Sequence, residues 1–568
     1  MARTVAIGIQ DFEAIISNNY FYIDKTDFIR EWWENGDSVT LIARPRRFGK
    51  TLNINMLERF FSISYAGQSK IFENLDIWQD EKYHNMQGKY PVISISFANV
   101  KENTFAKAKI RICQIISDLY IKNEFLKNSG LLSDKDLKYF DRVSEYMEET
   151  DATISLYKLC SYMQQYYGKK VIILLDEYDT PMQEAYLNGY WDELVSFTRN
   201  LFNSTFKTNP FLDRAIMTGI TRVSKESIFS DLNNIDVITV ASGKYEKTFG
   251  FTQKEVTAAL SEFGMSVMQE SVKDWYDGFI FGGITDIYNP WSIINFLDKK
   301  KLSIYWANTS SNGLVSKLVR EGSKDVKIIM ENLLNGGTLD TEIDEQVVFN
   351  QLGENENAIW SLLLASGYLK AEKHIFDINT GKDKYVLSLT NKEVKFMFRK
   401  IIEGWFKDYS PEYNDFIKAL LNNDIDAMNY YMNKVALKTF SFFDTGDKPS
   451  DNAEPERFYQ GFVLGLMMEL SDRYIITSNR ESGFGRYDVM LEPKNNTDNA
   501  FIMEFKVYNP GKEKNLDETV KSALMQTEAK KYASILEAKG IPVQYIQKYG
   551  FAFKGKSVLI GRTQYEEN

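Results

Sequence analysis

Val39-Thr-Leu-Ile-Ala43 runs directly into Arg44-Pro-Arg-Arg-Phe-Gly-Lys-Thr51, and a stretch with helical spacing follows. A short apolar run, a loop closing on Gly-Lys-Thr and a helix make up the strand–loop–helix that binds nucleotide phosphates. In the general form G-x-x-x-x-G-K-[ST], small residues let backbone N–H groups wrap the phosphates at the helix N-terminus. Lys50 then reaches the β- and γ-phosphates of ATP, and the Thr51 hydroxyl faces Mg²⁺. Arg44 stands where that form has its first glycine. The candidate nucleotide contacts on this loop are Arg44, Arg46, Arg47, Phe48, Gly49, Lys50 and Thr51.

A second stretch completes the site. Val171-Ile-Ile-Leu-Leu-Asp-Glu177 is an apolar run that ends in adjacent carboxylates. A parallel strand buried on both faces reads this way, and ligands gather at the carboxyl ends of such strands. Asp176 is the candidate Mg²⁺ ligand beside Thr51, and Glu177 the group that polarises the attacking water. Standing alone, Asp-Glu after a strand is equally an acidic turn; paired with the Gly-Lys-Thr loop it is half of a nucleotide site. The run Ala215–Thr218 continues through Gly-Ile-Thr to Arg222. Thr218 or Thr221 at this strand end is a candidate sensor of the γ-phosphate. Arg222 is a candidate for stabilising charge in the transition state, or else a surface arginine after a capped turn.

Working outward, Val39–Ala43, Val92–Phe97, Val171–Leu175 and Ala215–Thr218 alternate with helical stretches such as Ile110–Leu126 and Ile154–Tyr167. Strands separated by helices imply crossover connections, hence a parallel sheet with helices on both faces. This α/β domain is expected over residues 1–251. Thr252-Gln-Lys-Glu255 is a capping box that opens the next helix. Residues 252–443 read mostly helical. There, Trp360–Lys370 followed by the alternating Tyr385–Leu389 suits a winged helix, and equally a packed helical linker. Phe443–Pro455 is polar, acidic and rich in breakers, so a boundary is placed there. A third domain follows over 456–568: a helix at Arg457–Leu470, strands near Tyr474–Ser478, Tyr487–Leu491 and Phe501–Val507, and a helix from about Leu516.

That last domain carries a second cluster. Gly485-Arg-Tyr-Asp488-Val-Met-Leu491 precedes Phe501-Ile-Met-Glu504-Phe-Lys506-Val507. Alternate residues of a strand share a face, so Glu504 and Lys506 point one way and Phe505 the other. If the two strands pair, Asp488 comes alongside. Carboxylate oxygens suit Mg²⁺, with Mn²⁺ as a substitute, and a lysine beside them can orient water or offset developing charge. This is the D…(D/E)-x-K pattern of the PD-(D/E)XK nuclease superfamily. Gln526, in the helix behind, matches the glutamine that often follows the lysine there. Candidate catalytic residues are therefore Asp488, Glu504, Lys506 and Gln526, with Asp488 and Glu504 as metal ligands. Glu456 is a further ligand or, more simply, a charged first-turn residue. Lysines 506, 512, 514, 521, 530 and 531 would attract a phosphate backbone or serve as a solvated face.

Several motifs together resemble the bacterial and archaeal AAA-ATPase-like family. They are Tyr22-Ile-Asp-Lys-Thr26, the Arg44–Thr51 loop, Leu174–Pro181 (LLDEYDTP), residues 229–235 (FSDLNNI), Trp275–Gly278 (WYDG) and Tyr288–Trp291 (YNPW). Tyr305-Trp306, Asn308–Ser311 and Gly367-Tyr-Leu369 extend the resemblance along nearly the whole chain. Arg44 in place of glycine is that family's own pattern. The resemblance implies a P-loop NTPase domain, a C-terminal α/β restriction-endonuclease-like domain, and contact of Asp24 and Lys25 with nucleotide.

Composition narrows the chemistry. Two cysteines and two histidines exclude a cysteine-rich zinc site and make histidine-based catalysis a poor fit. The net charge of −10 argues against a generic polyanion binder, while a local basic groove stays compatible with nucleic acid. No apolar run approaches the ~18 residues that cross a bilayer. Gln10 and Asp11 interrupt any signal-peptide core, so a cytoplasmic protein without a membrane is expected. The leading expectation is an ATP-regulated nuclease acting on DNA or RNA, alone or as a homo-oligomer. The alternative is an ATP-dependent nucleic-acid-binding switch whose nuclease-like domain does not cut. A small-molecule kinase fits less well, since no acceptor site is recognisable.

Overall fold

The computed structural model describes the chain apart from residues 1, 221–228, 230–231, 307–313, 316–317, 320–323, 335, 344–355, 379–381, 405–409, 440–466, 468–469, 471, 479–480, 483–484, 487, 496–497, 555–556 and 564–568. Contacts divide the chain into two compact units: Met1–Leu318 with Thr338–Lys395, and Val319–Gly337 with Phe396–Asn568.

In the first unit, β1 (Val39–Ala43), β2 (Val92–Ser96), β3 (Val171–Asp176), β4 (Leu212–Gly219) and β5 (Ile235–Ile238) form one sheet of order β2-β3-β4-β1-β5. All four pairings are parallel. Every residue of β1 and β3 is buried, which explains why their runs are apolar apart from Thr40 and the terminal Asp176. Each such Leu or Ile contributes about 1.5–3 kcal/mol by leaving water. Because β4 lies between β1 and β3, its carboxyl end stands between the Lys50 loop and Asp176. The expected β1–β4 are all present, and β5 is an addition at the sheet edge.

The Thr252 capping box forms: the Glu255 N–H donates to Thr252 Oγ1 at 3.4 Å and the Thr252 N–H to Glu255 Oε2 at 2.7 Å. Beyond it, β6 (Phe251–Thr252), β7 (Phe279–Phe281) and β8 (Ile284–Tyr288) make a small antiparallel sheet. Asn289 then caps the helix Pro290–Lys299 by accepting from the N–H groups of Trp291 and Ser292. Further on, β9 (Leu339–Glu342), the helix Glu356–Ala365, β10 (Leu369–Asp377) and β11 (Lys382–Leu389) give a helix and hairpin in winged-helix order. The helix stops earlier than the Trp360–Lys370 reading: Gly367 turns the chain at φ 80° and Leu369 already belongs to β10. Ala358 to Leu364 are all buried, so this helix is a core element with no face free to enter a groove.

In the second unit, β12 (Tyr474–Ser478) precedes a small ladder of β13 (Glu481–Ser482) and β14 (Gly485–Arg486). Then β15 (Val489–Pro493), β16 (Ala500–Val507), β17 (Ile546–Lys554) and β18 (Ser557–Arg562) join β12 in the order β12-β15-β16-β17-β18. Only β16 and β17 run parallel, linked by the helices Leu516–Ala529 and Ala533–Ala538. One face of the sheet carries Phe501, Phe505 and Phe551 into a core with Phe416 and Met432. The Leu516 helix lies close against β17 because position 550 is glycine: a Cβ there would come within 2.9 Å of the Val520 carbonyl oxygen. The expected boundary at Phe443–Pro455 and nearly all of the helix at Arg457–Leu470 lie outside the described residues.

Candidate functional site

The phosphate loop owes its shape to two left-handed residues, Arg47 at φ 65° and Gly49 at φ 81°. Such backbone lines successive N–H groups around an anion. Only Gly adopts it freely, so Arg47 carries about 1–2 kcal/mol of strain. Gly49 caps the helix Lys50–Phe61, which sets Lys50 and Thr51 in its first turn. Lys50 is buried, and its Nζ donates to the carbonyls of Arg44 and Pro45, both at 2.8 Å. Burial pushes its ammonium down to about 8, against the pull of Glu177, Asp179 and Asp176.

Thr51 Oγ1 donates to Asp176 Oδ2 at 2.7 Å, and the Thr218 hydroxyl donates to Asp176 Oδ1. Thr218 Oγ1 also accepts from the Glu177 N–H at 3.3 Å. Burial raises the Asp176 pKa, while the two hydroxyls work against that rise. Two strand ends and the start of a helix thus meet around one carboxylate. Hard oxygens from a threonine and an aspartate are the donor set that Mg²⁺ takes beside nucleotide phosphates. A cavity of about 380 Å³ opens here, lined by Arg46, Arg47, Lys50, Thr51, Glu177 and Trp291 among others. Arg46 Nη2 donates to Gln183 Oε1 at 2.8 Å, and the Arg47 guanidinium lies 4.6 Å over the Trp291 ring. Phe48 is buried edge-on to Phe279.

Arg44 departs from the expected arrangement. Its side chain is fully buried, donates to the Thr239 and Lys244 carbonyls, and lies 4.4 Å over Phe281. It braces the loop from behind, and its backbone carbonyl, not its guanidinium, faces Lys50. Burial brings its pKa down to about 9. Lys25 lines the cavity while its Nζ is held by Glu255 and the Lys247 carbonyl. Asp24 instead accepts from the Thr26 and Asp76 N–H groups. Arg222, Thr221, Asn308–Ser311 and Glu456 lie outside the described residues.

Two residues passed over in the sequence belong to this neighbourhood. Asp179 is buried and accepts from the Ile220 N–H at 2.9 Å and from Gln183, tying the end of β4 to the segment after β3. Asn289 reaches the Arg46 carbonyl at 3.4 Å. Both sit inside the quoted Leu174–Pro181 and Tyr288–Trp291 motifs, which was the available signal.

In the second unit β15 and β16 pair antiparallel with Val489 opposite Met503, which brings Asp488 level with Glu504. The Phe505 N–H donates to Asp488 Oδ2 at 2.8 Å. Glu504 is buried, with Phe505 on the opposite face in the core. Gln526 Nε2 donates to Glu504 Oε1. Asp488, Glu504 and Gln526 therefore converge from two strands and a helix, and Lys506 follows, half-buried, on the strand face of Glu504. Lysines 512, 514, 521, 530 and 531 are exposed. Two adjacent carboxylates leave coordination positions that water and a phosphate oxygen fill. Among the described residues no group of three His, Cys, Asp or Glu is placed to cage a metal by itself.

The parallel sheet and its loop define a P-loop nucleoside triphosphatase fold. Residues 6–229 match the family model described as a predicted AAA-ATPase, and residues 454–563 match that of the PD-(D/E)XK nuclease superfamily. The chain thus joins an AAA-ATPase-like domain to a C-terminal PD-(D/E)XK nuclease superfamily domain, and the two matches point to ATPase-type and nuclease-type function. It is also similar to a protein of Azotobacter chroococcum mcd 1 described as "Uncharacterized protein in vnfD 5'region", with 27% identity over 326 residues. That alignment spans 56% of each chain. No helix among the described residues is long and apolar enough to cross a membrane.

Proposed function

We propose that the chain binds and hydrolyses MgATP at the Lys50 loop and cuts phosphodiester bonds of nucleic acid at the Asp488–Glu504 site, with nucleotide state governing the cutting. The convergence of Asp488, Glu504 and Gln526 from separate elements carries this reading, because a solvated face would not bury a glutamate beside an aspartate. Mg²⁺, when bound, neutralises phosphate charge and makes water a stronger nucleophile. At the first site, Thr51 and Asp176 would hold the cation, and Lys50 would exchange its two carbonyl partners for phosphate oxygens. Glu177 takes a proton from the attacking water, and Thr218 holds Asp176 in place. At the second, Asp488 and Glu504 would hold the cation and Lys506 would orient water against the scissile phosphate. The exposed lysines around it attract the backbone.

The test is to incubate the chain with single- and double-stranded DNA and RNA, with Mg²⁺ or Mn²⁺, and with or without ATP. Cleavage that needs the metal and changes with ATP is expected. Binding without cleavage under any divalent cation would assign the C-terminal fold to recognition alone.

Lys50 gives this reading a pH signature. Below about pH 8 it already carries its proton in the empty site, so ATP affinity is flat with pH. Above that, binding must take up a proton, and Kd rises by up to about tenfold per pH unit until Lys50 titrates in the ATP complex itself. Calorimetry in buffers of different ionisation enthalpy will record net proton uptake at about pH 9 and little at about pH 7.

A further inference from the structure

Arg46 and Arg47 are neighbours in the phosphate loop, and they are held in different ways. Arg47 is exposed and lies over the Trp291 ring, whereas the half-buried Arg46 donates through Nη2 to Gln183 Oε1 at 2.8 Å. The Arg46 backbone is fixed too, since Asn289 Nδ2 donates to its carbonyl at 3.4 Å. Gln183 is anchored in turn: its Nε2 donates to Asp179 Oδ2 at 3.3 Å, and that oxygen also accepts from the Ile220 N–H. A guanidinium only donates and a carboxylate only accepts. The amide between them therefore has one orientation, oxygen toward Arg46 and nitrogen toward Asp179. Asp179 is buried, and Gly219 leaves it room: a Cβ there would come within 2.9 Å of Asp179 Oδ1.

The same helix reaches the carboxylate that faces the attacking water. In the helix Thr180–Asn188, Thr180 and Gln183 stand three residues apart and share a side. Thr180 Oγ1 donates to Glu177 Oε2 at 3.0 Å. One turn of helix thus holds the Glu177 carboxylate with one side chain and the Arg46 guanidinium with another. Arg46, Glu177 and Thr180 line the cavity; Gln183 does not.

We infer that Arg46 is a catalytic residue for ATP hydrolysis within its own subunit, and that Gln183, clamped by Asp179, is the residue that positions it. The inference rests on the MgATP reading proposed above. The water oxygen bonds to the γ-phosphorus as the bond to the β-phosphate oxygen breaks, its electrons leaving with ADP. Glu177 takes the water proton, and negative charge spreads over the γ-phosphoryl oxygens, where the N–H fork of Arg46 meets it. An arginine in this role is worth about 10³–10⁵-fold in kcat, and misplacing such a group by about 1 Å costs about 10²-fold. Because Gln183 acts through Arg46, the two losses should not add.

The experiment measures ATP turnover by the full chain, and the affinity for ADP with aluminium fluoride against that for a non-hydrolysable ATP analogue. Wild type, Arg46→Ala, Gln183→Ala, the Arg46→Ala/Gln183→Ala double variant and Lys50→Ala are compared, each with its Tm. Arg46→Ala is expected to lower kcat by about 10³-fold or more. Gln183→Ala is expected to lower kcat by about 10- to 100-fold with KM and Tm unchanged, and to weaken the aluminium fluoride complex while affinity for the ATP analogue holds. The double variant is expected to be no slower than Arg46→Ala alone. A wild-type or raised kcat in Gln183→Ala, additive losses, or a loss that tracks a fallen Tm would each overturn the inference. If wild type turns over no ATP, or Lys50→Ala binds the analogue as wild type does, the MgATP reading itself fails, and the role of Arg46 with it.

Discussion

Asp488→Asn will slow metal-dependent cleavage by orders of magnitude while leaving the fold and ATP turnover intact. The substitution keeps the size of the side chain, and an amide oxygen can still accept from the Phe505 N–H that Asp488 binds at 2.8 Å. What it removes is one of the two adjacent negative charges opposite the substrate phosphate. A bound cation supplies several kcal/mol of transition-state stabilisation, so losing its ligand should slow cutting by about 10²–10⁴-fold. Single-turnover cleavage on a gel measures this, with circular dichroism and phosphate release as controls. Unchanged cutting would remove Asp488 from the chemistry.

Lys50→Ala carries the second large effect, and its two consequences have opposite signs. In the empty site Lys50 is a buried ammonium whose charge burial disfavours, so its removal should not lower the Tm of the nucleotide-free protein. With ATP present, the triphosphate loses a buried, charged hydrogen-bond partner. Removing one member of such a pair costs about 2–5 kcal/mol, or roughly 30- to 5,000-fold in Kd. Thermal shift with and without MgATP reads both at once: wild type gains Tm on adding nucleotide, and the variant gains none. A variant stabilised by ATP as well as wild type is would show that the phosphates lie elsewhere.

Legibility followed burial. β1 and β3 announce themselves because a strand covered on both faces is apolar almost throughout, here apart from Thr40 and Asp176. β5, Ile235-Asp-Val-Ile238, pairs among the described residues with β1 alone and is mostly half-buried, so its four residues lack that signature. In the second unit the strand alternation placed Glu504 and Lys506 on one face and Phe505 on the other. The partnership of β16 with β17 is a long crossover that local pattern does not report, and β17 and β18 went unread. Arg44 shows the limit of motif reading: a basic residue in a phosphate loop invites a phosphate contact, yet this one is turned inward to backbone carbonyls.

One assay bears most directly on the two-site account: wild-type protein with labelled DNA and RNA, Mg²⁺ or Mn²⁺, and ATP added or withheld. Nucleic acid shortened only when the cation is present, at a rate that ATP alters, is the predicted result. Substrate that stays intact under every cation and nucleotide condition would contradict it.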